Sequence, residues 1–256
     1  GYYWRIIRIN EDSSIRLIYQ GTTPTATGSA ATIGSSEFNE EWDDNAYVGY
    51  MYGTAGSSSY SATHTNTNDS TIKGVLDSWY EENLIDYSTY LADTGFCGDR
   101  SMAAQSGEWH SKDMALGYGT NITYYGVYNR LVNNKAPQFV CLQSNDLYTT
   151  ASSNKGNKAL EYPIGLITLD EVMYAGGYAN INESYYLYTG YDYWTMSPWY
   201  FDGSNASGCY VPLGGALFLN AVHFDGGARP VINLKSGIEI TGGDGTSSNP
   251  YVIKTN

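Results

Sequence analysis

Residues 191–234 have the sequence YDYWTMSPWYFDGSNASGCYVPLGGALFLNAVHFDGGARPVINL, and this stretch decides the fold class. It contains short apolar runs at residues 193–196, 209–212, 216–222 and 229–234, with Gly, Ser, Asn and Asp between them. Short apolar runs bounded by such turn residues are typical of β-strands. A further run at residues 185–188 precedes them. We therefore predict short strands joined by aromatic loops.

Two helices are predicted upstream of these strands. The first is an amphipathic helix, because its apolar residues are spaced three and four apart; they are Ile72, Val75, Leu76, Trp79, Tyr80 and Leu84. Asn68, Asp69 and Ser70 precede it and supply an N-cap, and we expect Lys73 to be solvated. The second helix begins at Thr168, which forms a capping box with Glu171.

The remaining pattern predicts one α+β domain over residues 1–256. Residues 2–9 and 15–20 form a predicted hairpin, and residues 162–167 a strand leading into the second helix. Residues 21–68 are rich in Gly, Ser, Thr, Ala and Asn, so we expect a long surface excursion. Residues 236–256 are expected to form a hairpin-like tail. Two helices would pack on mixed, mostly antiparallel short strands with long loops.

Charge excludes two classes of partner. Thirteen Lys and Arg residues oppose 26 Asp and Glu residues, which gives a formal net charge of −13. Binding to nucleic acid or to an anionic membrane surface needs clustered Lys and Arg, so we expect neither. No run of 18 apolar residues occurs, so we expect no membrane insertion within this chain. The chain starts inside a β-rich run, which suggests a fragment or mature form with any signal or anchor upstream.

The three cysteines allow two interpretations. Cys97, Cys141 and Cys209 are either three buried thiols, or Cys97 and Cys141 form a disulfide and Cys209 remains free. No Cys-x-x-C spacing is present, so a zinc site is unsupported. Few lysines and many Tyr, Ser, Thr, Asn and Gly residues are typical of exported proteins, and we expect an extracellular or cell-surface location.

No motif predicts catalysis or a cofactor. Ser70 and Lys73 have Ser-x-x-Lys spacing, but the companion Ser-Asp-Asn and Lys-Thr-Gly motifs are absent. The acidic residues 37–44 offer hard oxygen ligands for calcium, without the EF-hand spacing. We therefore expect no catalytic residue, no metal and no cofactor.

Residues 191–225 interleave aromatic with small polar side chains. Tyr with Ser, Gly and Asn is the composition of antibody-like contact surfaces, because rigid rings give contact area at low entropy cost. Strands must also bury one face, so part of these rings belong to the core. We expect Trp194 and Trp199 in the core and the loop at residues 200–207 at the surface.

Several stretches of the chain carry a resemblance: YWRIIRIN (3–10), SIRLIY (14–19), NDSTIK (68–73), DSWY (77–80), FCGDRS (96–101), YPIGLIT (162–168) with Asp170 and Glu171, WTMSP (194–198), RPVINL (229–234), GT (245–246) and NPY (249–251). Together they resemble a large group of surface proteins of Gram-positive gut bacteria, which are often found behind leader, pilin-like or cell-wall anchoring segments.

The late part, a Trp-x-x-Ser-Pro strand followed by loops and a Gly-x-Arg-Pro strand, resembles the C-type-lectin-like fold. That fold occurs in formylglycine-generating enzymes and in variable proteins diversified by retroelements. In the variable proteins, the loops before the last core strand contact the ligand. The resemblance, with the aromatic and polar composition, implies ligand-binding residues Tyr200, Phe201, Asp202, Ser204, Asn205, Ser207, Tyr210, Asn220, His223 and Asp225.

Three functions compete at this point. The first is a non-enzymatic recognition or adhesion module that binds a protein or glycan through its Tyr-rich loops. The second is a structural subunit of a surface filament or layer, since few charges and many Tyr, Ser, Thr and Asn suit packed assemblies. The third is an oxidase of the formylglycine-generating type, but Cys209 stands alone in its region and gives no counterpart to the catalytic cysteine pair.

Overall fold

The computed structural model of the protein describes residues 1–103 and 116–255 and contains mostly short elements. The strands are β1 (Tyr3–Ile9), β2 (Ile15–Gly21), β3 (Ser35–Glu37), β4 (Met51–Tyr52), β5 (Asn68–Asp69), β6 (Phe96–Cys97), β7 (Thr123–Tyr124), β8 (Leu147–Tyr148), β9 (Tyr193–Phe201), β10 (Ala206–Val211), β11 (Phe218–Ala221), β12 (Asp225–Gly227), β13 (Val231–Leu234), β14 (Ile240–Gly242) and β15 (Val252–Ile253). The α-helices are α1 (Tyr60–Thr63), α2 (Thr71–Asn83) and α3 (Leu169–Tyr174). Short 3-10 segments lie at Gly28–Ala31, Asn45–Val48, Ile85–Tyr90 and Ser144–Asp146, and a π-helical turn at Asn129–Asn133.

The first sheet joins the N-terminal hairpin to a late strand, in the order β1–β2–β13 with antiparallel pairing. The predicted hairpin is confirmed, with Ile9 opposite Ile15 across its turn. Leu17 and Ile18 are both buried although neighbouring residues of a strand face opposite ways. Strand β2 is therefore covered on both faces, not on one.

The second sheet has the order β11–β10–β9–β12–β3, and β7 pairs with the C-terminal end of β9. All of these pairs are antiparallel except the contact of β12 with β9, where Gly227 lies beside Tyr193. The protein is thus a mixed α+β structure with small, mostly antiparallel sheets and few helices. Three small two-stranded sheets complete it: β4–β5, β6–β8 and β14–β15.

Helix α2 follows the predicted apolar spacing and begins after Ser70, whose Oγ accepts a hydrogen bond from the backbone N–H of Lys73. The buried residues of the stripe are Ile72, Leu76, Tyr80 and Leu84. The expectation of a solvated Lys73 is wrong. Its side chain is buried, and Nζ lies 3.1 Å from a carboxylate oxygen of Asp69 and 2.5 Å from one of Asp77, which neutralise the charge.

Helix α3 is short and has the predicted capping box. The Thr168 Oγ1 accepts from the backbone N–H of Glu171 at 3.1 Å, and the Glu171 carboxylate accepts from the backbone N–H of Thr168 at 3.0 Å. Gly176, with φ of +105°, follows the helix in a conformation that favours glycine.

Two predicted strands and the surface excursion are corrected by the structure. Residues 162–167 form only a single bridge, Gly165 with Val231, and residues 185–188 form a turn in which the backbone N–H of Tyr188 donates to Tyr185. Residues 21–68 are not confined to the surface, because Phe38, Val48 and Tyr50 enter the core. The few apolar side chains of this segment pack in the core, and the small residues between them let its backbone lie close to neighbouring segments.

The core is strongly aromatic. Trp194 and Trp199 are buried, as predicted, and the indole N–H of Trp194 donates to the Ser36 carbonyl at 3.0 Å. Buried apolar residues between Leu17 and Leu234 form one contiguous cluster that takes side chains from both larger sheets, α2 and α3. The two sheets therefore share their apolar packing.

The disulfide interpretation of the cysteines is confirmed. Cys97 and Cys141 are bonded, with Cα atoms 5.6 Å apart, and Cys209 is a free buried thiol. The Cys209 Sγ donates to the Pro198 carbonyl, and burial raises the pKa of its thiol well above the ordinary value.

The C-terminal hairpin-like tail is present as β14 and β15, with Ile240 opposite Ile253. Across residues 1–103 and 116–255, every helix is too short or too polar to cross a bilayer.

His64 is a buried titratable group beneath the turn of α1. Its ring stacks on Tyr60 with centroids 3.8 Å apart, and its Nδ1 lies 2.7 Å from the Tyr60 carbonyl. Burial, followed by the positive charge of Arg100, lowers the pKa of His64 from 6.5 to about 4. The folded protein therefore keeps this ring neutral where the unfolded chain would protonate it.

This pKa difference makes the protein less stable in mild acid. Because the folded pKa lies below the unfolded value, stability is complete above pH 6.5 and is lost as the pH falls towards 4. Urea unfolding at pH 7 and pH 5 should show a loss of about 2 kcal/mol attributable to His64. The matched variant His64→Gln should lack this part of the loss, and an identical pH dependence in both proteins would contradict the assignment.

Loss of the disulfide should destabilise the protein. The variant Cys97→Ser with Cys141→Ser opens a loop of sequence separation 44, which costs about 4 kcal/mol in the chain-entropy model. Urea unfolding followed by tryptophan fluorescence measures the change. Thiol titration of the wild-type chain in denaturant is the control: one thiol per chain is expected, from Cys209, and three without reductant would show that the bond is absent.

Candidate functional site

The turn between β9 and β10 is held rigid by one carboxylate. Asp202 Oδ1 accepts hydrogen bonds from the backbone N–H groups of Ser204 and Asn205, at 2.8 and 2.7 Å, and from the Ser204 hydroxyl at 2.8 Å. Partial burial would raise the pKa of Asp202, but these hydrogen bonds outweigh it and lower the pKa. Gly203 has a φ of +100°, which the tight turn requires. The loop is therefore ordered by its own polar groups.

Next to this turn, three rings from two distant segments pack against one another in tilted contacts. The Trp42 and His223 centroids lie 4.6 Å apart, and those of His223 and Phe224 lie 4.8 Å apart. Trp42 is 42% exposed and Phe224 is 53% exposed. Large apolar rings in contact with one another and with solvent are uncommon on soluble proteins and are typical of interaction sites.

Backbone hydrogen bonds fix these rings on the sheet. The N–H of Ala206 in β10 donates to the Trp42 carbonyl at 2.7 Å, and the N–H of Val222 donates to the Ala206 carbonyl at 3.1 Å. The N–H of Phe224 donates to the Ala221 carbonyl at 3.0 Å, which closes the turn from β11 to β12. Ala206, the first residue of β10, is therefore bonded both to the backbone of Trp42 and to Val222, the residue before His223.

A second ring pair lies on the other side of the Asp202 turn. Tyr124 in β7 is opposite Tyr200 in β9, and their rings stack with centroids 5.7 Å apart and an interplanar angle of 13°. Burial raises the pKa of Tyr124, and Tyr200 and Asp202 add to the rise. We call this set the aromatic surface; it comprises Trp42, Tyr124, Tyr200, His223 and Phe224 with the turn at residues 202–205.

The aromatic surface lies in negative surroundings. Glu40, Glu41 and Asp43 are exposed on either side of Trp42, and Asp225 is paired directly opposite Glu37 in strands β12 and β3. In the same region, burial and the neighbouring Tyr52, Glu41, Asp43 and Asp44 raise the pKa of Tyr47 to about 12. Within the described part of the chain, no three His, Cys, Asp or Glu side chains are grouped to hold a metal ion.

Seven of the ten predicted site residues are accessible, and three are corrected. Tyr200, Asp202, Ser204, Asn205, Asn220, His223 and Asp225 are half-buried or exposed. Phe201, Ser207 and Tyr210 are buried and cannot contact a ligand in this conformation. They belong to the scaffold because both faces of β9 and β10 are covered: every residue of these strands except Tyr200 is buried, and Tyr210 packs on Trp194 with centroids 5.0 Å apart.

Sequence reasoning missed Trp42, Tyr124 and Phe224 as members of the site. Trp42 carried a signal, because a tryptophan among Glu40, Glu41 and Asp43 is an exposed ring in a strongly polar run. Tyr124 carried none, since only the pairing of β7 with β9 brings it to Tyr200.

Comparison of the chain with protein-family models, with curated proteins and with solved structures gave no match. The geometry of the aromatic surface is therefore the basis for a functional proposal.

Proposed function

We propose that this protein is a recognition module of the cell exterior that binds a protein or glycan partner through the aromatic surface. The observation that carries the proposal is the contact of the Trp42, His223 and Phe224 rings with one another. Trp42 and Phe224 remain exposed, whereas most other large rings of the second sheet are buried. Burying two exposed rings against a partner yields more free energy than most other side chains provide.

Rigidity supports a binding role. The rings stand on hydrogen-bonded strand ends, and the adjacent turn is ordered by Asp202. Little conformational entropy is lost when such a surface binds, because its side chains and backbone are already held. Tyr200, Ser204 and Asn205 add polar groups at its edge, which provide hydrogen bonds for orientation.

The state of the cysteines favours recognition over the oxidase hypothesis. Cys97 and Cys141 are joined to each other, and Cys209 is buried with a raised pKa. A thiol that attacks or is oxidised must reach its thiolate form and be accessible. The disulfide also favours an oxidising compartment, which is in keeping with a location outside the cell.

The proposed fold is C-type-lectin-like. The aromatic surface falls between the Trp-x-x-Ser-Pro strand, now part of β9, and the Arg-Pro segment that enters β13. In the variable proteins that this part of the chain resembles, the ligand contacts come from the corresponding interval. Trp42 and Tyr124 enlarge the same surface from outside the interval.

Substitution of the exposed rings tests this function. Labelled protein is first screened on arrays of glycans and of extracellular proteins, and the variant Trp42→Ala with Phe224→Ala is then compared on every positive spot. We expect affinity to fall at least 30-fold, corresponding to about 2 kcal/mol for removal of a central aromatic anchor. Circular dichroism checks that the variant is folded.

Phe218→Ala is the matched control. Phe218 is 55% exposed and lies in the same strand region, but it pairs with Tyr210 at the other end of β11, about 10 Å from Ala221 along the strand. Its removal should leave affinity within about twofold, as expected of a residue outside a binding hot spot. Partners that bind the double variant as tightly as the wild type would show that the aromatic surface is not the site.

A further inference from the structure

A cavity separate from the aromatic surface lies between the N-terminal hairpin, the disulfide and α3. Its volume is about 230 Å³, and none of the rings of the aromatic surface lines it. It opens among exposed residues that include Glu11, Asp12 and Val140. The space is smaller than the roughly 300–1,000 Å³ typical of drug-sized ligand pockets, so it suits a ligand of one small ring.

The first group of charges in this cavity surrounds Glu171. One Glu171 carboxylate oxygen lies 3.0 Å from the Nε of Arg8 and 2.6 Å from the Nε of Arg16. Burial raises the pKa of Glu171, but the two arginines, Arg16 first, outweigh it and keep the pKa below its ordinary value. The carboxylate is therefore ionised and compensated without any ligand.

The second group surrounds Arg130. Its Nε and Nη2 form a bidentate pair with Asp170 at 2.8 Å each, and its Nη1 lies 2.9 Å from Asp99. Asp170 also accepts from the backbone N–H of Gln138 at 2.9 Å, which fixes the loop that continues to Cys141. The two groups hold three guanidinium groups and three carboxylates, and Glu11, Asp12 and Lys155 bring the lining to five carboxylates and four cationic side chains.

The ion pairs around Glu171 and Arg130 do not by themselves explain why a cavity remains open beside them. Protein interiors are packed to the density of organic crystals, and buried ion pairs are costly unless their geometry is well satisfied. Here a polar cavity remains beside the ion pairs, and Lys155 and Val140, which line it, are exposed. A polar wall whose opposite charges nearly balance is suited to receive another polar molecule.

An exposed aromatic pair stands at the mouth. The Phe139 ring lines the cavity, the Arg8 guanidinium lies 5.0 Å from its centroid, and the Tyr174 ring meets it edge-on at 4.8 Å. Tyr174 is 66% exposed. A flat apolar face therefore adjoins a wall of donors and acceptors.

We propose that this cavity binds a single neutral sugar unit, free or at the end of a glycan. A sugar hydroxyl both donates and accepts, so it can use carboxylate lone pairs and guanidinium N–H groups in one site. The C–H face of a sugar ring can pack on Phe139 or Tyr174. An anion would meet five carboxylates and a cation four cationic side chains, so a net charge on the ligand gains little here. The proposal does not depend on the aromatic surface.

Methyl NMR on the full chain tests the proposal directly. The probes are the methyl glycosides of glucose, galactose, mannose, fucose, N-acetylglucosamine and N-acetylgalactosamine, each at about 20 mM, which exceeds the millimolar dissociation constant expected of one sugar. At least one should shift the methyl resonances of Val140 and Leu147, which line the cavity. Ile181, exposed but outside the lining, should not shift.

Two variants then separate the two sites. Tyr174→Ala should weaken the sugar that binds at least fivefold, whereas Trp42→Ala should leave its dissociation constant unchanged. The proposal is overturned if no glycoside shifts Val140 and Leu147. It is equally overturned if sialic acid, citrate or arginine shifts them more strongly than every neutral glycoside, or if Trp42→Ala and not Tyr174→Ala removes sugar binding. The first two results do not bear on partners held by the aromatic surface, whereas the third would place the sugar there.

Discussion

Backbone hydrogen bonding along β9 is the constraint on which the rest of the structure depends. β10 pairs with one edge of this strand, and β12 and β7 share the other, one at each end. The loops are tied to it as well, since Met196 donates to the Ile167 carbonyl and Tyr125 to the Trp199 carbonyl. Each partner strand is too short to be stable alone, so β9 sets where the rings of the aromatic surface stand relative to one another.

Buried arginines connect the regions that strands do not. Arg229 donates to the carbonyls of Leu187 and Tyr19, and its guanidinium lies 4.8 Å from the Tyr193 centroid, so it joins the two larger sheets. Arg100 pairs with Asp146 at 2.7 Å and also donates to the Met51 carbonyl. A guanidinium has five donors in a fixed plane, which lets one buried residue satisfy carbonyls of several loops. In a chain with few charges, these residues give long loops a defined position.

Local signals in the sequence predicted local structure. The spacing from Ile72 to Leu84 and the capping box at Thr168 depend only on neighbouring residues, and both are present. The site depended on contacts between distant segments, and there prediction succeeded only in part. Phe201 and Tyr210 lie in a segment whose composition suits a contact surface, yet both faces of β9 and β10 are covered and only Tyr200 is partly accessible. A period-2 pattern shows which residues share a face of a strand, but it does not show whether a distant segment covers the second face.

Under the proposed function, a partner of the aromatic surface would have to tolerate the charge around it. The chain has a net charge of −13, and Glu40, Glu41 and Asp43 lie next to the exposed Trp42. Carboxylates at the edge of an apolar contact contribute little affinity but slow the approach of anionic molecules and favour neutral or basic ones. The rings of the aromatic surface provide contact area whatever the charge of the bound molecule. The proposed function would thus divide affinity and selection between neighbouring residues of one loop, with Trp42 for contact and the acidic residues beside it for discrimination.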